Sequence, residues 1–126
     1  MQNPASIPPE CPCQAGDVFY LNFDERPIGD DSRGGEVSVL RCKRCGQFWL
    51  HYLMEYTHLA GAGRWIHGPI TPEIAATMEA EMARKVLDGL DWYFRGGSAF
   101  DGRVTKTQPG RIDLWLSASA PRSDAL

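Results

Sequence analysis

Apolar and polar residues alternate in several short segments of this chain, which is the pattern of half-buried β-strands. Residues 36–41 and 111–116 show this alternation, and each predicts a strand; a further strand is predicted at 64–70, with Pro69 at its end. Residues 17–23 are rich in aromatic and β-branched side chains, so we predict a first strand there. Residues 47–56 carry apolar side chains on both faces, which is typical of a strand at the centre of a sheet.

One amphipathic helix is predicted after the strand at 64–70. Thr71 can accept hydrogen bonds from the first turn, Pro72 suits the first helical position, and Glu73 complements the helix dipole. Beyond this start, apolar residues recur every four positions and would share one helix face. This stripe consists of Ile74, Met78, Met82, Val86 and Leu90. We predict that the helix continues to about Asp88 or Leu90 and packs on the sheet through the stripe.

The segments between these elements are predicted to be loops and turns. Residues 24–35 contain Gly, Pro and charged side chains, so they are predicted to form a solvated hairpin connection and the best candidate for a mobile loop. The aromatic segment 92–98 is predicted to end in a turn, and residues 105–110 are predicted to be a loop. Residues 1–10 and 117–126 are predicted to be flexible.

These elements predict an α+β fold, with an antiparallel sheet and one main amphipathic helix packed on it. The length of 126 residues predicts a single domain, 1–126. Four Trp, four Tyr and five Phe supply the large apolar side chains that a packed core needs, so the chain is not of the disordered class.

The charge balance bears on partners and location. Sixteen acidic and thirteen basic residues give a net charge of −3, which weighs against a nucleic-acid binder. No stretch is apolar enough to span a bilayer, so no membrane partner is expected. Residues 1–10 lack the basic and apolar regions of a signal peptide. We therefore expect a cytoplasmic protein, in which thiols stay reduced.

The four cysteines form the strongest chemical signal in the sequence. Cys11 and Cys13 make a C-x-C pair, and after 28 intervening residues Cys42 and Cys45 make a C-x-x-C pair followed by Gly46. Two such turns can direct four thiolates at one centre, which is the ligand set of a closed structural Zn²⁺ site. Gly46 can take the positive φ angle that turns backbone N–H groups toward the sulfurs.

Other cysteine chemistries stay open at this point. An iron atom could occupy the same four thiolates. A redox dithiol at Cys42 and Cys45 would be favoured by the neighbouring cations, although such pairs usually begin a helix and here a strand is predicted to follow. Disulfides between the two pairs are also possible if the protein is exported.

Cys11-Pro12-Cys13 and Cys42-Lys43-Arg44-Cys45-Gly46 resemble the two turns of zinc-ribbon modules. The resemblance covers residues 11 to about 50 and departs from the commonest pattern in its C-x-C first turn. It implies zinc and a three-stranded ribbon core. The segments 63–65, 71–73 and 92–98 look like parts of small bacterial proteins of unknown function. Some small acidic proteins of that kind are immunity proteins, which bind and neutralise a toxin.

Three functional hypotheses follow. The first is a non-catalytic protein that binds another protein, either a toxin or a subunit of a complex; no catalytic residue is predicted. The second is a nucleic-acid binder whose cations touch phosphates and whose aromatic rings stack on bases. Its candidate residues are Arg41, Lys43, Arg44, Phe48 and Trp49.

The third hypothesis is an enzyme. Its site would be assembled from His51, His58, His67 and the acidic residues of the predicted loop. Those acidic residues are Asp24, Glu25, Asp30, Asp31 and Glu36, and their spacing does not match a calcium-binding loop. None of the three histidines has a nucleophile beside it in the sequence, so a satisfied or solvent-facing histidine is the simpler interpretation.

Overall fold

Six antiparallel strands form one sheet in which each strand pairs with the next along the chain. The computed structural model describes residues 11–16, 19–54 and 63–96, and the backbone of 105–107. The strands are β1 Phe23–Asp30, β2 Glu36–Cys42, β3 Phe48–Met54, β4 Arg64–Ile70, β5 Tyr93–Gly96 and β6 Thr105–Thr107. Two short helices, α1 Pro72–Ala76 and α2 Ala83–Asp88, lie between β4 and β5. The described residues therefore form an α+β fold.

Strands β2, β3 and β4 agree with the prediction. Strand β3 lies inside the predicted segment 47–56 and has two strands on one side and three on the other, so it is central. The predicted strand at 111–116 and the predicted flexible ends, 1–10 and 117–126, lie outside the described residues. The turn predicted at the end of segment 92–98 and the loop predicted at 105–110 were wrong for residues 95–96 and 105–107. These residues lie in β5 and β6, which pair with each other.

The predictions were wrong for residues 19–22, which were expected in a strand, and for residues 24–30, which were expected in a loop. Tyr20–Asn22 is a 3₁₀ turn, and the first strand begins at Phe23 and continues to Asp30 through the predicted loop. Strand β1 is an edge strand whose side chains are mostly exposed, so it needs no apolar alternation. An edge position also tolerates Pro27 and the bulge between Pro27 and Gly29.

The turn from β1 to β2 is short and held by Asp31. One carboxylate oxygen accepts hydrogen bonds from the N–H groups of Arg33 (3.0 Å) and Gly35 (2.8 Å). The other oxygen accepts the hydroxyl proton of Tyr52 at 2.6 Å, and Arg84 Nε donates to the Tyr52 oxygen at 2.9 Å. This buried network anchors the turn to the sheet and to α2, so the expected mobile loop at 24–35 is replaced by a strand and a fixed turn.

The helices cover one face of the sheet, which we call the helix face. Its core contains Leu50, Tyr52 and Ile66 from the central strands and Ala83 and Leu87 from the helical segment. All five residues of the predicted stripe belong to this layer: Met78 is buried, and the other four are partly buried against the same core. None of the helices in the described part of the chain is long and apolar enough to cross a membrane.

The prediction of one continuous helix was wrong, although its start is as expected. Thr71 Oγ1 accepts a hydrogen bond from the N–H of Ile74 at 3.2 Å, and Pro72 is the first helical residue. The helix ends after Ala76, where Thr77 donates its hydroxyl to the carbonyl of Glu73. Such back-bonding competes with continued helix formation. A 3₁₀ turn, Ala80–Met82, then leads into α2.

The other face of the sheet carries a second core, which we call the cysteine face. It contains Phe23, Trp49 and Phe94 packed with Cys11, Cys13 and Cys42. This face is where the two cysteine pairs meet.

We expect Gly35→Ala to destabilise the protein, because a Cβ there would overlap the Tyr52 ring. Tyr52 is fully buried and bonded to Asp31, so it has little room to move. The free energy of unfolding, measured with urea, should fall by about 1–3 kcal/mol. Gly89→Ala is the matched control, since its Cβ would meet carbonyl oxygens only at 3.7 Å. Equal stability of the two variants would contradict this packing.

Candidate metal centre

The second cysteine pair lies in the turn between β2 and β3, residues 42–46, which we call the Cys42 turn. Two hydrogen bonds hold it: the N–H of Cys42 donates to the carbonyl of Gln47 and the N–H of Gly46 to that of Cys42, both at 2.9 Å. Gly46 has φ +81°, a left-handed conformation that favours glycine. The positive φ predicted for Gly46 is confirmed.

The first pair lies on a separate turn, residues 11–16, which we call the Cys11 turn. Pro12–Ala15 is a 3₁₀ helix, and the N–H of Gln14 donates to the carbonyl of Cys11 at 2.9 Å. The turn ends at Gly16, which has φ +99°. This tight fold brings the sulfurs of Cys11 and Cys13 to 3.5 Å from each other.

The four sulfurs converge on one point. Cys11 Sγ lies 3.8 Å from Cys42 Sγ, Cys13 Sγ lies 3.4 Å from Cys45 Sγ, and all four lie within 4.8 Å of one another. Four sulfurs in a tetrahedron around a zinc ion, at Zn–S of about 2.3 Å, would be about 3.8 Å apart. All four cysteines are free thiols. The cluster can therefore hold one metal ion, and its spacing suits tetrahedral coordination by sulfur.

The electrostatics of the cluster differ from one sulfur to the next. Burial opposes ionisation of Cys42, but N–H groups of Cys45 and Arg44 donate to its sulfur and lower its pKa to about 7. Burial and the neighbouring sulfurs raise the pKa of Cys13, and burial raises that of Cys45. One thiolate is thus favoured by the protein alone. A bound cation would favour the other thiolates, because its charge offsets their mutual repulsion.

The cluster is also part of the packing. Three of its residues, Cys11, Cys13 and Cys42, are buried, and Cys45 is partly exposed. They share one core with Phe23, Trp49 and Phe94, so the sulfurs attach the Cys11 turn to the centre of the sheet. This position suits a structural site better than a catalytic one.

Two of the three histidines meet on the same face. His51 and His67 are directly opposite on β3 and β4, and their Nδ1 atoms are 3.1 Å apart. The ring centroids are 5.3 Å apart, so the two nitrogens point almost straight at each other, as in a hydrogen bond. His67 is fully buried and stacks on Trp49 at 4.6 Å. Within the described part of the chain, the buried Nε2 of His67 has no hydrogen-bond partner.

The other groups proposed for an enzyme site are spread out. His58 lies outside the described residues. Asp31 holds its own turn, Glu25 accepts a hydrogen bond from Ser38, and Asp24 and Asp30 are exposed on the edge strand. Among the described residues, the four cysteines form the one cluster of three or more His, Cys, Asp and Glu side chains close enough to bind a metal.

Of the two aromatic residues proposed to stack on nucleic-acid bases, one is inaccessible. Trp49 is fully buried, whereas Phe48 is partly buried with the Arg41 guanidinium 5.6 Å from its ring centre. In the described part of the chain, the exposed aromatic side chains are Phe19 and Tyr20, which were predicted to lie in a strand. The sequence signal for their exposure was a run of consecutive apolar residues beside the Cys11 turn, but such a run is also typical of a strand.

Comparison with models of protein families, with curated proteins and with solved structures finds no match to this chain.

We expect the stability of the protein to fall as the pH falls from about 6.5, the ordinary histidine pKa, toward about 4. Burial lowers the pKa of His51 to about 4 against the opposing effect of Glu25, and burial and then His51 hold the pKa of His67 well below its ordinary value. The unfolded chain therefore takes up protons first. Each histidine should contribute up to about 1.4 kcal/mol per pH unit in this range.

Urea unfolding at a series of pH values checks this expectation, and His51→Gln should make the slope shallower. Metal content must be measured in every sample, because protonation of cysteines releases a metal as well. If stability stayed constant from pH 6.5 to 5 while the metal remained bound, His51 and His67 would not be neutral in the folded protein as this expectation requires.

Proposed function

We propose that this protein is a non-catalytic zinc-binding module that acts by binding another protein. The observation that carries the proposal is the spacing of the four cysteine sulfurs, which matches the ligand shell of a tetrahedral metal ion. Four thiolates leave no coordination position for water or substrate, so the metal would have a structural role. Zinc fits this role best, because it prefers a tetrahedral sulfur shell and has no redox chemistry.

Local structure supports a zinc-ribbon-like arrangement in part. The Cys42 turn joins two antiparallel strands, as in the second turn of a ribbon, and it ends in a glycine of positive φ. The Cys11 turn differs, because it is built on a short 3₁₀ helix, with Cys11 at its N-cap and Cys13 inside it. The module would therefore combine one ribbon-type turn with a second turn of a different kind.

The metal would support binding of a partner protein by fixing the 3₁₀ turn Tyr20–Asn22, which lies between the two cysteine pairs in the sequence. The N–H of Lys43, in the Cys42 turn, donates to the carbonyl of Asn22 at 2.9 Å. The 3₁₀ turn Tyr20–Asn22 is thereby placed against the cysteine cluster, with its apolar side chains turned outward. Rigid exposed apolar residues are a common feature of protein-binding surfaces. A toxin, which an immunity protein would bind, is one partner that this proposal allows.

Replacing one cysteine should cost both metal and fold. We expect purified protein to contain one zinc ion per chain, and we expect Cys42→Ser to contain none. Structural zinc contributes on the order of 10 kcal/mol in small domains, so the variant should unfold at much lower urea concentration or fail to fold. Metal analysis by mass spectrometry, together with circular dichroism, measures both effects.

His51→Gln serves as the matched control, because it changes a polar residue on the same face outside the sulfur cluster. It should keep one zinc per chain. A folded, zinc-loaded Cys42→Ser protein would contradict the proposed site, and iron in place of zinc would correct the metal. Loss of free thiols without bound metal would instead indicate disulfides.

A further inference from the structure

Three consecutive apolar side chains stand out from the surface beside the cysteine cluster. Phe19, Tyr20 and Leu21 are 53%, 72% and 56% exposed, and they are the large hydrophobic residues that are exposed in the described part of the chain. We call them the apolar patch. Most exposed apolar residues occur singly, whereas a contiguous group marks a surface that another molecule covers.

The patch is held in place by a backbone hydrogen bond to the Cys42 turn. The N–H of Asn22 donates to the carbonyl of Phe19 at 2.9 Å, which closes the turn. The carbonyl of Asn22 in turn accepts from Lys43, inside the Cys42 turn. The next residue, Phe23, is buried in the same core as the cysteines. A partner therefore meets side chains whose backbone is already ordered, which lowers the entropic cost of binding.

One border of the patch, at the Cys42 turn, carries two basic residues, although the protein as a whole is acidic. Lys43 and Arg44 are exposed on the turn that is bonded to the patch. The complete chain carries a net charge of −3. Opposite charges around an apolar centre steer a partner and set its orientation, so this border favours an acidic partner.

We propose that the apolar patch, with Lys43 and Arg44, docks an acidic segment of another protein that also carries apolar side chains. This inference rests on the proposed function as a protein-binding module and names the surface and the partner chemistry. A protein segment fits better than single-stranded nucleic acid, because Leu21 offers no ring for stacking. In addition, the rings of Phe19 and Tyr20 meet edge to face at 66°, so they do not form a stack for successive bases.

A peptide-display selection tests the inference directly. A random library of 16-residue peptides is selected on the zinc-loaded protein, and enriched peptides are synthesised and titrated by calorimetry. We expect them to combine Asp or Glu with Leu, Phe or Trp. Tyr20→Ala should weaken binding about tenfold, since truncated aromatic residues at interface centres typically cost that much. The double variant Lys43→Glu, Arg44→Glu should weaken it about tenfold or more.

Two controls match these variants. Lys85→Glu reverses an exposed charge on α2, in the helical layer that covers the opposite face of the sheet, and should leave the affinity unchanged. Tyr20→Phe keeps the apolar ring and should retain binding within about threefold. All the altered side chains are exposed, so zinc content and circular dichroism should stay the same in every variant.

Several results would overturn the inference. These are the absence of enriched peptides, enriched peptides without acidic residues, or equal affinity for the patch variants and the wild type. Sedimentation showing a dimer that Tyr20→Ala disrupts would assign the patch to a second copy of this chain. Peptides that bind elsewhere would refute the patch but keep the proposed function. Salt-sensitive binding of a 15-residue oligo(dT), with no peptide binding, would refute both.

Discussion

A single sheet presents two faces to water, and this chain covers them by two different physical means. The helix face is covered in the ordinary way, because the stripe of α1 and α2 buries apolar side chains against β3 and β4. In the described part of the chain, the Cys11 turn packs on the cysteine face and buries little apolar surface of its own. Its two buried side chains are Cys11 and Cys13, so the sulfur cluster is the interaction that holds it. The rest of this face depends on that cluster, since Trp49 and Phe23 pack directly beneath it.

The sequence predicts the parts of the fold whose signals are local. Strand β2 shows alternation, the helix start has its capping residue at Thr71, and Gly46 marks the turn that needs a positive φ. Strand β1 was missed because an edge strand obtains its stability from one neighbour and needs no apolar face. The helix break was missed for a different reason: the four-residue stripe continues through it, so the apolar pattern carries no trace of the 3₁₀ turn.

In the candidate site, too, local sequence specifies some features and leaves others undetermined. The cysteine spacing identifies all four residues of the cluster, because thiolates two or three positions apart are directed to one point by their own turns. The contact between His51 and His67 depends on the register of two strands joined by residues 55–63, and no local pattern specifies it. Burial of Trp49 agrees with the central strand predicted at 47–56, although its place near basic residues also allowed a binding surface. The exposure of the apolar patch could not be predicted, because its composition favours a strand.

Because every strand pairs with its neighbour in the chain, β1 to β3 can assemble one hairpin at a time by closing short loops, whereas β4 and β5 are joined by the helical segment 71–92. The link between the two cysteine pairs closes a much longer loop: the sulfur contact of Cys11 with Cys42 spans 31 positions. The entropy of closing it is repaid only after the Cys42 turn has formed. Geometry therefore favours an order in which the β2–β3 hairpin forms first and presents Cys42 and Cys45, and capture of the Cys11 turn follows. A metal bound there as proposed would add its stabilisation at this second step, where it joins two segments that are far apart in the chain.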